Sequence, residues 1–576
     1  MRIRMILAAT AILGLALSAS LPLQPAPTES YIVQGENLVD VRALVVEHGG
    51  EITHELGVIR AVAAELTAAQ VAELRDADGI RRVYDNGAVE TAGKPPKNDG
   101  GGTTDPGATD PATDTFYTTL INGDAVHQMG IDGTGIGIAV LDTGLWKHNG
   151  IRYDAAGNTR IEAVYNAMTD SLATSPLSGD DPAGHGSHVA SIAVSSLMTA
   201  DGTARYNGVA PGAHLVSVQA FDENGQGTYA DVIRAIDWIV SNRKKHKIHI
   251  INASFSAEPR SYYWDDPINQ AIMVAWQNEI FVVAAAGNRG PDPMTIGVPG
   301  NVPYVLTVGA MTDNFTPADG SDDELASFSS AGPTVEGFVK PEVVAPGGHM
   351  RGLVQGNSTL AGAYPEYYDG QYFEMSGTSQ ATAVASGVAA LVLQAEPWRS
   401  VDELKCKIMS AARPATYRDR GKDYLAYSVF QQGAGRVDAY AAVMNQTVGC
   451  ANNGLHIDND IDGFQHFGGP ANQQLDGTYH VRGDLDSRET GYVWNGGYLD
   501  SSGYLWTDGY LWTDAYLWTD AYLWTDGVGV DGYLWTDGYL WTDGYLWTDA
   551  YLWTDGYLWT DSLTEMTSMS SWVEPE

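Results

Sequence analysis

Runs of apolar residues along the chain predict a large region in which buried strands alternate with helices. Four such runs are rich in Val, Ile and Ala and lie at 136–141, 214–219, 248–253 and 280–286. Segments between them, such as 229–240, have helical periodicity. Strands that are apolar on both faces are typical of a parallel sheet covered by helices on both sides. The pattern therefore predicts a doubly wound α/β domain over residues 116–446.

A shorter segment, 31–91, has a separate pattern of strands and helices. It predicts strands at 31–33, 58–66 and 80–84 and helices at 39–48 and from 68 onward. Thr67 and Gln70 have the spacing of a capping box at the start of the second helix. This order resembles the split βαβ of ferredoxin-like modules. We expect a small α+β unit here.

The remaining segments differ in composition from both units. Residues 92–115 are rich in Gly, Pro, Thr and Asp, so we interpret them as a linker. After an acidic connector at 447–491, Tyr-Leu-Trp-Thr-Asp recurs nine times within 492–561, and a tail follows at 562–576. Because the period of six is even, Tyr, Trp and Asp would share one face of an extended chain. This favours a β-rich hexapeptide-repeat region, with a disordered tail as the alternative.

Composition and charge limit the function classes. The 576 residues include 71 Asp and Glu against 32 Lys and Arg, a net charge of −39, which argues against nucleic acid as a partner. Hydrophobic residues make up 44% of the chain, so global disorder is not expected. Cys406 and Cys450 allow at most one bridge, too few for a disulfide scaffold or a four-thiolate zinc site.

The first residues have the features of a secretory signal peptide. Arg2 and Arg4 precede the apolar run 5–17, and small residues follow at 18–20. A membrane anchor is the alternative, but the run is shorter than the roughly 20 residues that a spanning helix needs. We therefore predict a signal peptide at 1–20 and a secreted, extracellular protein.

Three motifs in the α/β region carry reactive side chains. Asp142 ends an apolar strand, where active sites of doubly wound sheets form, although a capping role fits it equally. His185 and His188 lie at a glycine-rich turn before a helix; zinc binding is the alternative, but no Glu lies between them. Ser379 begins an apolar helix whose free N–H groups could hold an oxyanion, and a plain N-cap is the alternative.

Taken together, the three motifs follow the chain order Asp, His, Ser of subtilisin. Further matching blocks are Gly208-Val209-Ala210-Pro211, Ala286-Gly287-Asn288 and Val344-Ala345-Pro346-Gly347. The sequence thus resembles the subtilases over residues 116–446, which implies a subtilisin-like fold. The resemblance implies that Ser379 is the nucleophile, His185 the base and Asp142 the carboxylate that orients it. It also makes Asn288 the side-chain donor of the oxyanion hole.

The resemblance further implies segments that pair with a substrate peptide and a glycine at the bottom of the primary pocket. These residues are Gly225, Gln226, Gly227, Ser254, Phe255, Ser256 and Gly297. We expect a deep pocket that accepts large apolar or aromatic side chains. Ser256 stands where the family usually has glycine, which could narrow one wall.

By the same resemblance, residues 31–91 are expected to be an inhibitory propeptide, with an unrelated accessory domain as the alternative. The chemistry requires no cofactor. The run 458–463 begins like a calcium loop but lacks the closing Glu, so a structural calcium ion stays open, with an acidic turn as the alternative, and metal ligands stay unassigned.

The sequence predicts a secreted serine endopeptidase that is made as an inhibited precursor. Its expected partners are protein or peptide substrates, its own propeptide and, through the repeats, a cell surface or polysaccharide. The alternative is a surface binding or adhesive protein, in which the repeats contact cell surfaces or polysaccharide and the protease-like domain is a scaffold. A scaffold would not need the complete set of Asp142, His185, Asn288 and Ser379.

Overall fold

The structure is a computed structural model. It describes residues 26–92, 115–200, 203, 205–316, 323–419, 422–447, 449, 451–473, 479–481, 492–493 and 499–500. The predicted signal peptide, the predicted linker apart from its two end residues, all nine intact repeats and the tail lie outside the described residues. In the part of the chain that is described, no helix combines the length and apolarity that crossing a membrane requires.

The N-terminal unit is a four-stranded antiparallel sheet with two helices. Its elements are β1 (Thr28–Gly35), α1 (Leu38–Glu47), β2 (Glu51–Leu56), β3 (Ala61–Thr67), α2 (Ala68–Arg75) and β4 (Ile80–Asp85). The strand order β2-β3-β1-β4 is that of a ferredoxin-like sheet. The capping box of Thr67 and Gln70 is present at the start of α2. The strand predicted at 58–66 begins later, at Ala61, because a short 3-10 helix, Gly57–Ile59, occupies its first residues.

The central domain begins at Thr115 and contains most of the core. A short strand, β5 (Ala88–Thr91), precedes it. The helices of the central domain are α3 (Tyr117–Leu120), α4 (Gly123–His127), α5 (Asn149–Arg152), α6 (His185–Val194), α7 (Tyr229–Asn242), α8 (Pro267–Gln277), α9 (Thr359–Ala363), α10 (Thr378–Ala395), α11 (Val401–Ala411), α12 (Val429–Gln432) and α13 (Ala439–Met444). Its strands are β6 (Gly137–Asp142), β7 (Ile161–Asn166), β8 (Ser171–Leu172), β9 (His214–Gln219), β10 (Gln226–Thr228), β11 (Ile248–Ala253), β12 (Phe255–Ser256), β13 (Phe281–Ala285), β14 (Leu306–Thr312), β15 (Glu324–Leu325), β16 (Val343–Pro346), β17 (Met350–Leu353), β18 (Tyr372–Met375), β19 (Thr416–Asp419) and β20 (Lys422–Leu425).

The main sheet has the strand order β15-β14-β13-β11-β6-β9-β7-β8, with β16 paired to β14. Its central pairs are parallel, and only the short edge strands β8 and β15 pair antiparallel. Helices α6 and α10 pack together, and α7 and α8 form a second pair. This is the predicted α/β architecture. It brings the carboxyl end of β6 and the N-termini of α6 and α10 to one place.

Beyond the central domain, residues 451–473 pack against it instead of extending freely. The elements here are α14 (Ile457–Ile461), β21 (Phe467–Gly468), β22 (Ala471–Gln473), β23 (Tyr479–Val481), β24 (Tyr492–Val493) and β25 (Leu499–Asp500). Asp460 is buried and accepts hydrogen bonds from the hydroxyls of Tyr263 at 2.6 Å and Tyr304 at 3.0 Å. The other carboxylate oxygen of Asp460, Oδ1, lies within hydrogen-bond distance of His466 Nδ1, at 2.7 Å.

The run 458–463 does not form a calcium loop. Residues Ile457–Ile461 are helical, so Asp458 and Asp460, two positions apart, lie on different faces of the helix. Asp458 accepts a hydrogen bond from Gln277, and Asp462 lies 3.9 Å from Arg60. Among the residues with described positions, no group of three or more His, Cys, Asp or Glu side chains could hold a metal ion.

Candidate active site

The first side chain of the site, Asp142, lies at the carboxyl end of the central strand β6. Its apolar neighbours in β6 are buried, which places the carboxylate at the edge of the sheet beneath the surface. One carboxylate oxygen, Oδ1, accepts hydrogen bonds from His185 Nδ1 at 2.7 Å and from the Thr143 amide at 2.8 Å. Strand β6 thus positions the carboxylate that faces Nδ1 of His185, and this contact favours the tautomer with its hydrogen on Nδ1.

His185 is the first residue of α6. Gly184 precedes it with a φ of 99°, a left-handed conformation that favours glycine, and this turn directs the imidazole toward Asp142. His185 as a whole is 3% exposed, and its Nε2 has no hydrogen-bond partner among the described residues. That nitrogen is thus available to accept a proton.

His188, one turn further along α6, has a different environment. Its Nε2 donates to the carbonyls of Met350 at 3.1 Å and Phe373 at 3.0 Å, and it therefore links β17 to β18. Burial lowers the pKa of His188 to about 3, with the nearby His185 adding to the effect. The rings of His185 and His188 thus bond to different partners and do not converge on one metal position, contrary to the zinc alternative.

Ser379 is the second residue of α10 and is fully buried. Its hydroxyl donates to the Ser254 carbonyl at 3.0 Å and is not hydrogen-bonded to His185. The structure thus brings Asp142 and His185 into direct contact. The Ser379 hydroxyl is instead hydrogen-bonded to Ser254, which directly follows β11.

Asn288 lies just beyond β13, where Thr378 holds its amide. The Thr378 amide and hydroxyl both donate to Asn288 Oδ1, each at 3.0 Å, so Nδ2 points the other way. Nδ2 donates to the carbonyl of Ala92 at 2.8 Å, and the Ser379 amide donates to the same oxygen at 3.3 Å. Two N–H groups on one carbonyl oxygen form the arrangement that stabilises an oxyanion.

The carbonyl held there belongs to an extended segment of the same chain. Strand β5 lies between β10 and β12 and pairs antiparallel with both. The Thr91 amide donates to the Gly225 carbonyl at 3.1 Å, and the Ala92 amide donates to the Ser254 carbonyl at 3.2 Å. The residues expected to pair with substrate, 225–227 and 254–256, thus flank this segment. Gly297 lies beside Ser256.

One buried carboxylate beside the site was not singled out by sequence reasoning. Asp181 is fully buried, and its carboxylate accepts from the Thr143 hydroxyl at 2.7 Å and the Gly184 amide at 2.9 Å. It also accepts from the amide and hydroxyl of Ser187, at 2.7 and 2.6 Å. Burial raises the pKa of Asp181, and these hydrogen bonds oppose that effect. The only signal in the sequence was an acidic residue four positions before His185.

The kinds of group that acyl transfer uses are present among these residues. The Asp142 carboxylate holds the His185 imidazole, and Ser379 carries a hydroxyl at the start of α10. Two N–H groups, from Asn288 and Ser379, point at one carbonyl oxygen. Such a set attacks a carbonyl, takes up the proton and stabilises the charged intermediate. A peptide carbonyl already lies at the donors.

Comparisons with known proteins point the same way. The family model of the subtilase family matches residues 133–436. The chain is 36% identical over 322 residues to the serine protease AprX of Bacillus subtilis (strain 168), which covers 55% of this chain and 68% of that protein. It is 30% identical over 295 residues to subtilisin DY of Bacillus licheniformis, covering 51% of this chain and 89% of that protein.

A solved structure has the same fold. The crystal structure of fervidolysin from Fervidobacterium pennivorans, described as a keratinolytic enzyme related to subtilisin, matches with a TM-score of 0.57 at 22% identity. The match covers 81% of this chain and 67% of that one. Because the curated relatives are proteases, a binding protein with a protease-like scaffold is not favoured.

Proposed function

The chain belongs to the subtilase family and is a subtilisin-like serine endopeptidase, and from this premise we propose that Ser379, His185 and Asp142 are its catalytic triad. The observation that carries the proposal is the Ala92 carbonyl, which accepts hydrogen bonds from both Asn288 Nδ2 and the Ser379 amide. This peptide carbonyl lies where the reacting carbonyl of a substrate would lie.

In the proposed mechanism, the Ser379 hydroxyl rotates from the Ser254 carbonyl to His185 Nε2 and attacks the substrate carbonyl. His185 takes the proton, while Asp142 holds the Nδ1–H tautomer and stabilises the imidazolium. Asn288 and the Ser379 amide stabilise the oxyanion. His185 then protonates the leaving amine, and water hydrolyses the acyl-enzyme by the reverse path. These steps need no cofactor.

The proposal includes an inhibited, secreted precursor. Residues 1–20 would direct export, and residues 31–91 would be the inhibitory propeptide. Support comes from β5, which fills the cleft between β10 and β12 in the manner of a bound peptide. The bond that follows Ala92 would then be the one that the enzyme cuts in its own chain.

The test replaces the proposed nucleophile. We expect Ser379→Ala to remain a full-length precursor with no peptide hydrolysis, because the acyl-enzyme cannot form. The matched control is Ser386→Ala, a buried serine of the same helix whose hydroxyl donates to Asn252. It should mature, with a new N-terminus directly after Ala92, and should hydrolyse peptides.

Labelling with an organophosphonate probe supplies a second measurement. The probe should modify the parent and Ser386→Ala but not Ser379→Ala. Peptide hydrolysis near the parental rate by a folded Ser379→Ala variant would contradict the triad assignment. A mature N-terminus near Tyr31 would contradict the role given to residues 31–91.

A further inference from the structure

We propose that this enzyme selects a small side chain, such as alanine, on the N-terminal side of the cleaved bond, and that Ser256 determines this selectivity. The inference rests on the proposed function, because it takes the Ala92 carbonyl to lie at the reacting position. It concerns the size of the pocket that receives the side chain of that residue. It differs from the large apolar or aromatic preference that the sequence predicts.

The first observation is the residue that occupies the position. Ala92 carries the carbonyl held by Asn288 and Ser379, and it is 6% exposed. Its neighbour Thr91 is half-buried, and Glu90 is exposed. A buried methyl group therefore fills the place beside the oxyanion donors, and nothing larger is present there.

The second observation is the location of the Ser256 hydroxyl. A Cβ atom built on Gly297 would lie 2.0 Å from Ser256 Oγ, and one built on Gly287 would lie 3.1 Å from it. The hydroxyl therefore occupies the space that these two glycines leave open. Gly297 was expected to make the pocket deep, but Ser256 fills the volume that its missing side chain provides.

The wall that carries Ser256 is held by backbone hydrogen bonds on both sides. Ser256 pairs with Glu90 in the β12–β5 ladder. The next residue, Ala257, exchanges hydrogen bonds with Val298, at 3.0 Å from its amide and 2.8 Å to its carbonyl. Because the backbone is fixed, only rotation of the short serine side chain could clear space, and a large ring would still meet its Oγ or Cβ.

The size of the effect follows from pocket chemistry. A pocket that cannot accept one extra methylene discriminates by roughly 10–200-fold, and an aromatic ring is several methylenes larger than a methyl group. We therefore expect a preference of at least about tenfold for Ala over Phe at this position. Replacing Ser256 by glycine should remove the obstruction without altering the triad.

The test uses two peptides that copy residues 89–92 of the chain. Succinyl-Val-Glu-Thr-Ala-p-nitroanilide and the same peptide ending in Phe differ only at the position in question. They are assayed with the self-processed full chain and its S256G variant, with active sites counted by organophosphonate titration. Ser171→Gly, at an exposed serine of β8, is the matched control.

For the parent and the control, kcat/KM should favour the Ala peptide by at least about tenfold. For S256G, the ratio of kcat/KM for the Phe peptide to kcat/KM for the Ala peptide should rise at least about tenfold. A parent that cleaves the Phe peptide as well as the Ala peptide overturns the inference and leaves the proposed function intact. The comparison of the two peptides with the parent enzyme does not depend on whether the S256G variant folds. Failure to cleave either peptide, with no labelling of Ser379, overturns both.

Discussion

At the scale of single residues, one buried carboxylate connects the two turns that carry the proposed acid–base pair. Asp181 accepts hydrogen bonds from Thr143, which adjoins Asp142, and from Ser187, two residues after His185. Among the described residues, its carboxylate accepts hydrogen bonds from Thr143, Gly184 and Ser187 and not from the proposed triad, so we assign it a positioning role. Small misplacements of catalytic groups lower turnover steeply.

We predict that Asp181→Asn lowers kcat by about tenfold or more and leaves KM nearly unchanged. An amide has one acceptor oxygen instead of two, and its NH₂ would face donors that now point at a carboxylate. Asp180→Asn, at the exposed neighbour, is the matched control and should keep the parental kcat. Steady-state kinetics on titrated active sites give both constants. Equal kcat values for the two variants would contradict the positioning role.

The buried ring of His188 predicts a loss of stability in acid. Its pKa of about 3 in the folded protein lies below the value of about 6.5 in an unfolded chain. The unfolded state therefore binds more protons between these values, so the stabilisation is complete above about pH 6.5 and declines as the pH falls toward 3. The slope approaches about 1.4 kcal/mol per pH unit for this one group.

The measurement is thermal unfolding from pH 4 to 7 in a Ser379→Ala background, which prevents self-digestion. We expect His188→Gln to be less stable than its parent at pH 7, because it loses a ring that links β17 to β18. The difference should shrink as the pH falls. A constant difference over the whole range would show that His188 does not titrate as described.

At the scale of elements, the N-terminal unit and β5 contact the central domain through separate sets of interactions. In the unit itself, His54 Nε2 lies 3.2 Å from Asp231, Arg82 forms an ion pair with Asp265 at 2.7 Å, and Leu56 and Ile59 pack into the main core. Strand β5 is bound by backbone pairing, and its Val89 is 2% exposed within the main core. Because the β5 segment is the part that pairs with β10 and β12 and ends at Asn288, we expect it to contribute most of the inhibition.

We predict that residues 26–92, added in trans, inhibit the mature enzyme and that Val89→Asp raises the inhibition constant about 100-fold or more. Burying a carboxylate among apolar groups costs several kcal/mol. Val39→Asp is the matched control, because Val39 is 76% exposed on α1. It should change the constant by less than about threefold, as surface substitutions usually do. Equal effects of the two variants would contradict the assignment of β5.

At the scale of the whole molecule, the chain beyond Gln446 has two parts with different relations to the enzyme. Residues 451–473 belong to the folded body, since buried Asp460 pairs with two tyrosines and Asn452 bonds to Lys405 and to the Tyr304 carbonyl. The hexapeptide repeats follow at 492–561 and contain no proposed catalytic residue. We therefore extend the catalytic body beyond residue 450 to include 451–473, and β24 and β25 belong with it because they pair with β21 and β22.

We predict that a chain ending at residue 503, directly before the first intact repeat, hydrolyses small peptides at the parental rate, whereas one ending at 450 unfolds at a lower temperature. The shorter chain leaves the buried hydroxyls of Tyr263 and Tyr304 without their carboxylate partner. Each unpaired buried group costs about 1–3 kcal/mol. Thermal unfolding of both chains as Ser379→Ala variants, beside kinetics of the active forms, checks this. Equal unfolding temperatures would contradict the boundary.

The sequence by itself determined the elements whose burial is uniform and the order of the reactive residues. Strands β9 and β11 have the predicted bounds, because a strand covered on both faces is a continuous apolar run. The strand β2 was not predicted, since its exposed face makes it alternate with polar residues. The run 458–463 has the spacing of a loop, but its packing against α8 stabilises a helix.

Only the tertiary structure decided which residues meet in the cleft. Ala92 belongs by composition to the linker, yet pairing of β5 with β10 and β12 places its carbonyl at Asn288. Ser256 and Gly297 are 41 positions apart in the sequence, and the size of the pocket depends on the distance between them. Strand register and side-chain packing join residues that are remote in the chain. Local patterns of polarity carry no information about such distances, and for this reason the sequence predicted the chemistry but not the shape of the pocket.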